Sequence, residues 1–166
     1  MSEGNFTLDI FYQSWKNYQD ELKQAIAPLT PEHLALRAAP GLRSVGEIVA
    51  HVISSRVHWF GDFMGEMSSM PGVESLLARN WQMRDAPPRT AGELVEGLDT
   101  SWRFMADLLN KWDSADMQHT FPFEVDGDHY DNSRSWVTWH ILEHDLHHGG
   151  EISIMLGMHG LQTPDV

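Results

Sequence analysis

Four of the ten histidines lie within the nine residues from His140 to His148. At about 100° per residue, His140, His144, His147 and His148 fall within an arc of roughly 100° on one helical face. Side chains four positions apart in a helix lie about 5–6 Å from each other at Cβ, so two imidazoles can bind one metal ion at roughly 2.0–2.1 Å. Both His140/His144 and His144/His148 have this spacing. Because one helix does not easily complete a coordination shell, a third ligand is expected from another helix.

An earlier helix offers that third ligand. The segment Ser44-Val-Gly-Glu47 has the pattern of a capping box, in which the Ser and Glu side chains each bond to the other residue's backbone amide. The helix that it begins carries His51 and His58, about 20° apart on one flank. A single histidine on a helix flank is usually exposed or simply hydrogen-bonded. His51 becomes a candidate ligand because the later helix presents several imidazoles.

The remaining pattern predicts an all-α fold, a four-helix bundle formed by a single domain over residues 1–166. The first long helix spans Phe6 to Ala27, and the second starts at Ser44. The third starts at the capping box Thr90-Ala-Gly-Glu93, and the fourth runs through the histidine cluster until Gly157. A long crossover from Gly61 to Pro88 joins the second and third helices. A small hairpin or extended insert over Phe121 to Tyr130, around an Asp-Gly turn, precedes the last. Gly149 and Gly150 inside that helix indicate close approach of a neighbouring helix or a partner subunit.

Composition limits the classes of function. Eleven Lys and Arg residues against twenty-four Asp and Glu residues give a formal net charge of −13, which opposes binding to nucleic acids and to anionic membranes. The chain has no cysteine, so any metal must bind to His, Asp or Glu. It also has no apolar run of membrane-spanning length, and residues 1–5 lack the features of a signal peptide. These features predict a cytoplasmic protein.

Two motifs resemble a known family. Ser44-Val-Gly-Glu-Ile-Val-Ala-His51, together with Trp139-His140 and His144-Asp-Leu-His-His-Gly-Gly-Glu-Ile152, is similar to the signatures of the DinB/YfiT-like metalloenzymes. The resemblance implies a four-helix bundle, often a homodimer, that binds a divalent transition metal, zinc or nickel, through His51, His144 and His148. The family motif often ends His-His-Arg-Gly-Gln-Ile. This chain has Gly149 and Glu151 at the Arg and Gln positions, which changes the charge beside the proposed site.

The resemblance also implies a small-molecule substrate. Related families include thiol-dependent transferases and isomerases, so the chain is expected to transfer a low-molecular-weight thiol to a small electrophile, or to hydrolyse one. No catalytic residue is assigned; His140 and His147 are candidates for the pocket, and Asp145 and Glu143 for hydrogen bonds behind the ligands. Three alternatives stay open. The protein can be a non-catalytic metal-bound stress-response or binding protein, the histidines can merely pack in the core, or His140-Ile-Leu-Glu143-His144 can be a zinc peptidase motif.

Overall fold

The computed structural model describes residues 6–69, 73, 76 and 87–164. Within these ranges the protein is mostly helical, with helices α1 (Phe6–Ile26), α2 (Pro31–Leu34), α3 (Val45–Val57), α4 (Ala91–Leu109) and α5 (Arg134–Gly157). A π-helical segment, His58–Phe63, continues α3, and short 3-10 turns cover Met67–Ser69 and Asp116–Gln118. The long helices α1, α3, α4 and α5 are those predicted from the sequence. Most of the predicted long crossover lies outside the described residues, and the single domain over 1–166 stays a prediction.

Side-chain caps fix where the helices begin. Ser44 Oγ accepts from the Glu47 amide at 3.2 Å, and Glu47 Oε2 accepts from the Ser44 amide at 2.8 Å. Thr90 and Glu93 form the same pair of bonds at the start of α4. Ser133 caps α5 by accepting from the Trp136 amide. The predicted helix starts are therefore confirmed, and the Ser44 cap sets His51 about two turns into α3.

A two-stranded antiparallel sheet precedes α5. Its strands are β1 (Thr120–Val125) and β2 (Asp128–Ser133), paired from Thr120 with Ser133 to Val125 with Asp128. The connecting residues Asp126 and Gly127 have φ angles of 53° and 86°, as a type I′ turn requires at both central positions. The predicted hairpin is confirmed. Because β2 leads directly into α5, this turn also sets where α5 begins.

Helix α3 occupies the centre of the core and packs against both α4 and α5. Every residue of α3 is buried except Gly46, Glu47 and His51. The fold thus leaves His51 as the one residue in the middle of this helix whose side chain reaches partly exposed surface. None of the described helices has the length and apolar character needed to cross a membrane.

A buried ion pair joins three of the long helices. Arg56 in α3 and Asp145 in α5 have fully buried side chains, and Arg56 Nη2 donates to Asp145 Oδ2 at 2.7 Å. Trp15 Nε1 in α1 donates to the same carboxylate oxygen at 2.9 Å. Buried charges are tolerated when they are paired and hydrogen-bonded, and here the partners come from different elements. The pair therefore orients α5 at the residue directly after His144.

The Tyr18 side chain of α1 reaches α5 at Gly149. A Cβ atom on Gly149 would lie 1.3 Å from the Tyr18 hydroxyl and 2.6 Å from Tyr18 Cζ, so a larger residue there requires the buried Tyr18 ring to move. This confirms the predicted close approach for Gly149 and identifies the neighbour as a helix of the same chain. Gly150 differs, because it is exposed and no described atom beyond its own stretch of helix lies within 4 Å of its Cβ position.

Candidate metal centre

Three imidazoles from two helices converge on one point. His51 comes from α3, and His144 and His148 come from successive turns of α5. His51 Nε2 lies 3.1 Å from His144 Nε2, and one nitrogen from each of the three rings lies within 4.8 Å of the others. The ring centroids are 4.8 Å apart for His51 and His144, 4.9 Å for His51 and His148, and 4.4 Å for His144 and His148. The structure thus brings together the three residues predicted as ligands.

The spacing and the donor type fit a divalent transition-metal ion. Two nitrogens bound to one tetrahedral ion at about 2.0–2.1 Å lie roughly 3.3–3.4 Å apart, close to the distance between the His51 and His144 Nε2 atoms. A ligand nitrogen of His148 lies within 4.8 Å of the other two. Imidazole nitrogen is a good ligand for zinc, nickel and copper, whereas magnesium and calcium prefer oxygen.

The electrostatic surroundings keep two of these imidazoles neutral. Burial lowers the pKa of His51 from its ordinary 6.5 to about 4, and Arg43 and His148 add to this effect. Burial likewise lowers the pKa of His144 to about 3, with further repulsion from His148 and His51. A metal ligand must offer an unprotonated nitrogen. Both residues are therefore ready to bind a cation at neutral pH without first losing a proton.

One polar atom of the group lacks a partner. His144 Nδ1 is buried and has no hydrogen-bond partner among the described residues. Since His144 Nε2 is the atom that faces His51, a ligand at Nε2 leaves a hydrogen on Nδ1. An unsatisfied buried donor costs about 1–3 kcal/mol, which metal binding would have to offset.

His140 lies beside the three imidazoles but belongs to another group. Its ring stacks on Trp136, with ring centroids 5.0 Å apart and planes at 10° to each other. The ring centroid of Trp59 lies 4.9 Å from that of His140. The His140 ring centroid is 6.3 Å from that of His144. These side chains form an aromatic cluster with members from the π-helical segment, the hairpin and α5: Trp59, Phe63, Phe123, Trp136 and His140. Of the two His pairs with equal spacing, His144/His148 is the one that faces His51.

The alternative peptidase motif receives no support from this arrangement. It requires His140 and His144 to share a metal ion and Glu143 to act as a base beside that ion. His140 instead stacks within the aromatic cluster, and Glu143 is exposed on the surface of α5.

The other two histidines considered from the sequence lie outside the group. His58 begins the π-helical segment, and its Nδ1 lies 3.3 Å from a carboxylate oxygen of Asp62. His147 is 67% exposed, with Nε2 3.7 Å from Glu151 Oε1.

The expectation that Asp145 supports a ligand from behind is wrong. Its carboxylate bonds to Arg56 and Trp15 rather than to an imidazole. The carboxylate that does contact the group is Glu151, whose Oε2 lies 2.6 Å from His148 Nδ1. The role of Arg56 was not predicted, although its position in the sequence indicates a buried charge. Arg56 lies three or four residues after Ile53 and Val52 on an apolar stripe, where a charged side chain indicates a buried partner.

The described residues define a mostly helical protein with three imidazoles from two helices brought to one point. The model of the DinB family matches residues 1–166, so the chain belongs to the DinB family, as the resemblance implied. The crystal structure of a DinB-like protein from Bacillus cereus ATCC 10987 superposes with a TM-score of 0.69 over 94% of this chain and 95% of that one. The two sequences are 21% identical, and at this level the likeness concerns the fold. None of the curated proteins matches the chain.

Proposed function

We propose that His51, His144 and His148 bind one divalent transition-metal ion, zinc or nickel, and that the protein is a metal-dependent enzyme. The observation that carries this proposal is the convergence of three imidazole nitrogens within 4.8 Å from two separate helices. Burying neutral imidazoles beside one another is unfavourable unless their nitrogens find partners, and a shared cation supplies one for all three. A hydrogen bond between the His51 and His144 Nε2 atoms accounts for two of the rings, whereas a shared cation accounts for all three.

The proposed reaction is transfer of a low-molecular-weight thiol to a small electrophile, or hydrolysis of that electrophile. A divalent ion on three imidazoles has a position left for water or a thiol, whose pKa it lowers toward neutrality. The chain has no cysteine of its own, so a thiol nucleophile would have to bind from solution. Burial lowers the pKa of His140, and its neutral ring beside His144 can accept the proton that such a nucleophile releases.

The aromatic cluster supports a small, largely apolar substrate. Trp136 is 40% exposed and stacks on His140, so an apolar surface borders the three imidazoles. The net charge of −13 argues against nucleic acid or an anionic membrane as the partner.

An activity assay with and without metal tests this function. Purified protein loaded with zinc or nickel is mixed with the electrophile monochlorobimane and a panel of low-molecular-weight thiols, and fluorescence of the conjugate is followed. We expect at least one thiol to react faster than its uncatalysed rate, and His144→Ala to abolish the difference. Bound metal without faster reaction of any thiol would argue against thiol transfer and leave hydrolysis or a non-catalytic metal-bound protein.

We further propose that α1, α3, α4 and α5 form a four-helix bundle and that the protein is a cytoplasmic homodimer. Large apolar side chains on the surface of two of these helices support the dimer: Phe11 in α1 and Trp139 in α5 are each 60% exposed. Light scattering after gel filtration tests it. A mass of twice 18.9 kDa is expected, and a single-chain mass at micromolar concentration would contradict it.

A further inference from the structure

The contact between Glu151 and His148 has a defined chemical direction. Glu151 Oε2 lies 2.6 Å from His148 Nδ1, the short distance typical of a hydrogen bond to a carboxylate. An ionised carboxylate can only accept hydrogen bonds. A hydrogen of the His148 ring therefore lies on Nδ1 and points at Glu151, which leaves Nε2 as the atom that can bind a metal ion.

Placing the lone pair on Nε2 prepares His148 as a ligand. The two nitrogens point to opposite sides of the ring, so a ring held through Nδ1 directs Nε2 away from Glu151. His148 has a side chain only 10% exposed, and its ring packs against those of His51 and His144. A carboxylate on one ring nitrogen and a metal ion on the other is the carboxylate–histidine–metal arrangement of many metal sites.

We propose that Glu151 is a positioning residue that selects the Nδ1–H tautomer of His148 and strengthens its bond to the metal ion. The inference rests on the proposed function, because it assigns Glu151 a role in the same site. It accounts for the 2.6 Å contact between a carboxylate and the buried ring of a proposed ligand. Glutamine can accept the same hydrogen bond but does not bring a negative charge.

A competing role for Glu151 is direct binding of a metal ion. His147, His148 and Glu151 offer ligand atoms within 4.8 Å of one another, so they could in principle hold an ion themselves. In that case His147 would matter as much as Glu151. The geometry favours the positioning role, because His147 is 67% exposed and lies 3.7 Å from Glu151, whereas His148 is buried and lies at 2.6 Å.

The first test reads the tautomer in the metal-free protein. Imidazole ¹⁵N shifts of uniformly labelled wild type, with His148→Gln used for assignment, are expected to show His148 protonated on Nδ1. Glu151→Ala should move the ring toward the Nε2–H form, Glu151→Gln should retain Nδ1–H, and Glu143→Ala, which removes an exposed carboxylate of the same helix, should change nothing. An unchanged His148 tautomer in Glu151→Ala would overturn the proposal.

The second test reads zinc affinity by competition with a chromophoric chelator. Loss of a hydrogen bond behind a ligand typically weakens metal binding about 10–100-fold, so this loss is expected for Glu151→Ala, with a smaller one for Glu151→Gln. Glu143→Ala and His147→Ala should bind like wild type. If wild type binds zinc and Glu151→Ala binds it with equal affinity, the positioning role is refuted but the proposed metal site is not. If His147→Ala loses as much zinc affinity as Glu151→Ala, both residues bind the metal ion directly and the positioning role is replaced. If wild type binds no zinc or nickel, the proposed function itself fails, while the tautomer measurement still tests the hydrogen bond.

Discussion

At the scale of single residues, two histidines of α5 have the same spacing from His144 but different surroundings. His148 faces His51 with a ring distance of 4.9 Å, whereas His140 stacks on Trp136. His148 is therefore the proposed ligand, and His140 is the proposed proton acceptor. Spacing alone predicts no such difference, since each lies one helical turn from His144.

This difference leads to the first prediction. His148→Ala should weaken zinc binding by more than about 100-fold, because it removes one of three ligands. His140→Ala should bind zinc as wild type does but lower turnover by about 100-fold or more, as loss of a proton acceptor typically does. Chelator competition and the thiol assay measure the two effects. Equal loss of zinc from both variants would show that His140 is also a ligand.

The second prediction concerns the pH dependence of the metal-free protein. The pKa values of about 4 for His51 and about 3 for His144 lie below the ordinary 6.5, so the unfolded chain takes up protons first as the pH falls. The free energy of unfolding that these residues contribute is therefore complete above about pH 6.5 and decreases from there toward pH 4. Urea titrations of wild type and His144→Ala across this range should show a shallower decrease in the variant. Identical slopes would mean that His144 is not held neutral by its surroundings.

At the scale of elements, the Arg56–Asp145 pair fixes the rotation of α5 against α3. The third prediction is that Asp145→Ala lowers the free energy of unfolding by about 3–5 kcal/mol, because Arg56 is left as an unpaired buried charge. The double variant Arg56→Met/Asp145→Leu removes both charges and should lose less than Asp145→Ala alone. Glu143→Ala, two residues away but exposed, should change the stability by no more than about 0.5 kcal/mol. An Asp145→Ala loss of that small size would show that the pair is unimportant.

The paired glycines of α5 give the fourth prediction. Gly149→Ala should destabilise the protein, because the new methyl group would overlap Tyr18 and force its buried ring to move. Gly150→Ala, one residue on and exposed, should raise the free energy of unfolding by about 0.5–1 kcal/mol through better helix propensity. Thermal melting of the two variants beside wild type measures both. Gly149→Ala melting above wild type would contradict the contact between α1 and α5.

At the scale of the whole molecule, patterns confined to a few neighbouring residues predicted much of the fold. The capping boxes at Ser44 and Thr90 and the Asp126-Gly127 turn were predictable because each motif contains its own hydrogen bonds or φ preferences. The π-helical segment after Val57 was not predictable from the sequence, since a change in helical period over six residues hardly alters the order of apolar positions.

The residues of the candidate site were predictable from local sequence motifs, but their arrangement in space was not. The residues His51, His144 and His148 followed from motif resemblance, but their convergence depends on how α3 and α5 are rotated. That rotation is set by contacts between residues far apart in the chain, such as Arg56 with Asp145 and Tyr18 with Gly149. Sequence spacing within one helix contains no information on such pairs, which is why Asp145 was given the wrong role.

The most direct test of the central claim is the metal content of tag-free protein by elemental mass spectrometry, with wild type beside His144→Ala. Thermal melting before and after chelation accompanies it. We expect about one transition-metal ion per wild-type chain, little or none in the variant, and a lower melting temperature for wild type after chelation. Wild-type protein that contains no metal from any preparation, and whose melting does not shift when zinc or nickel is added, would contradict it.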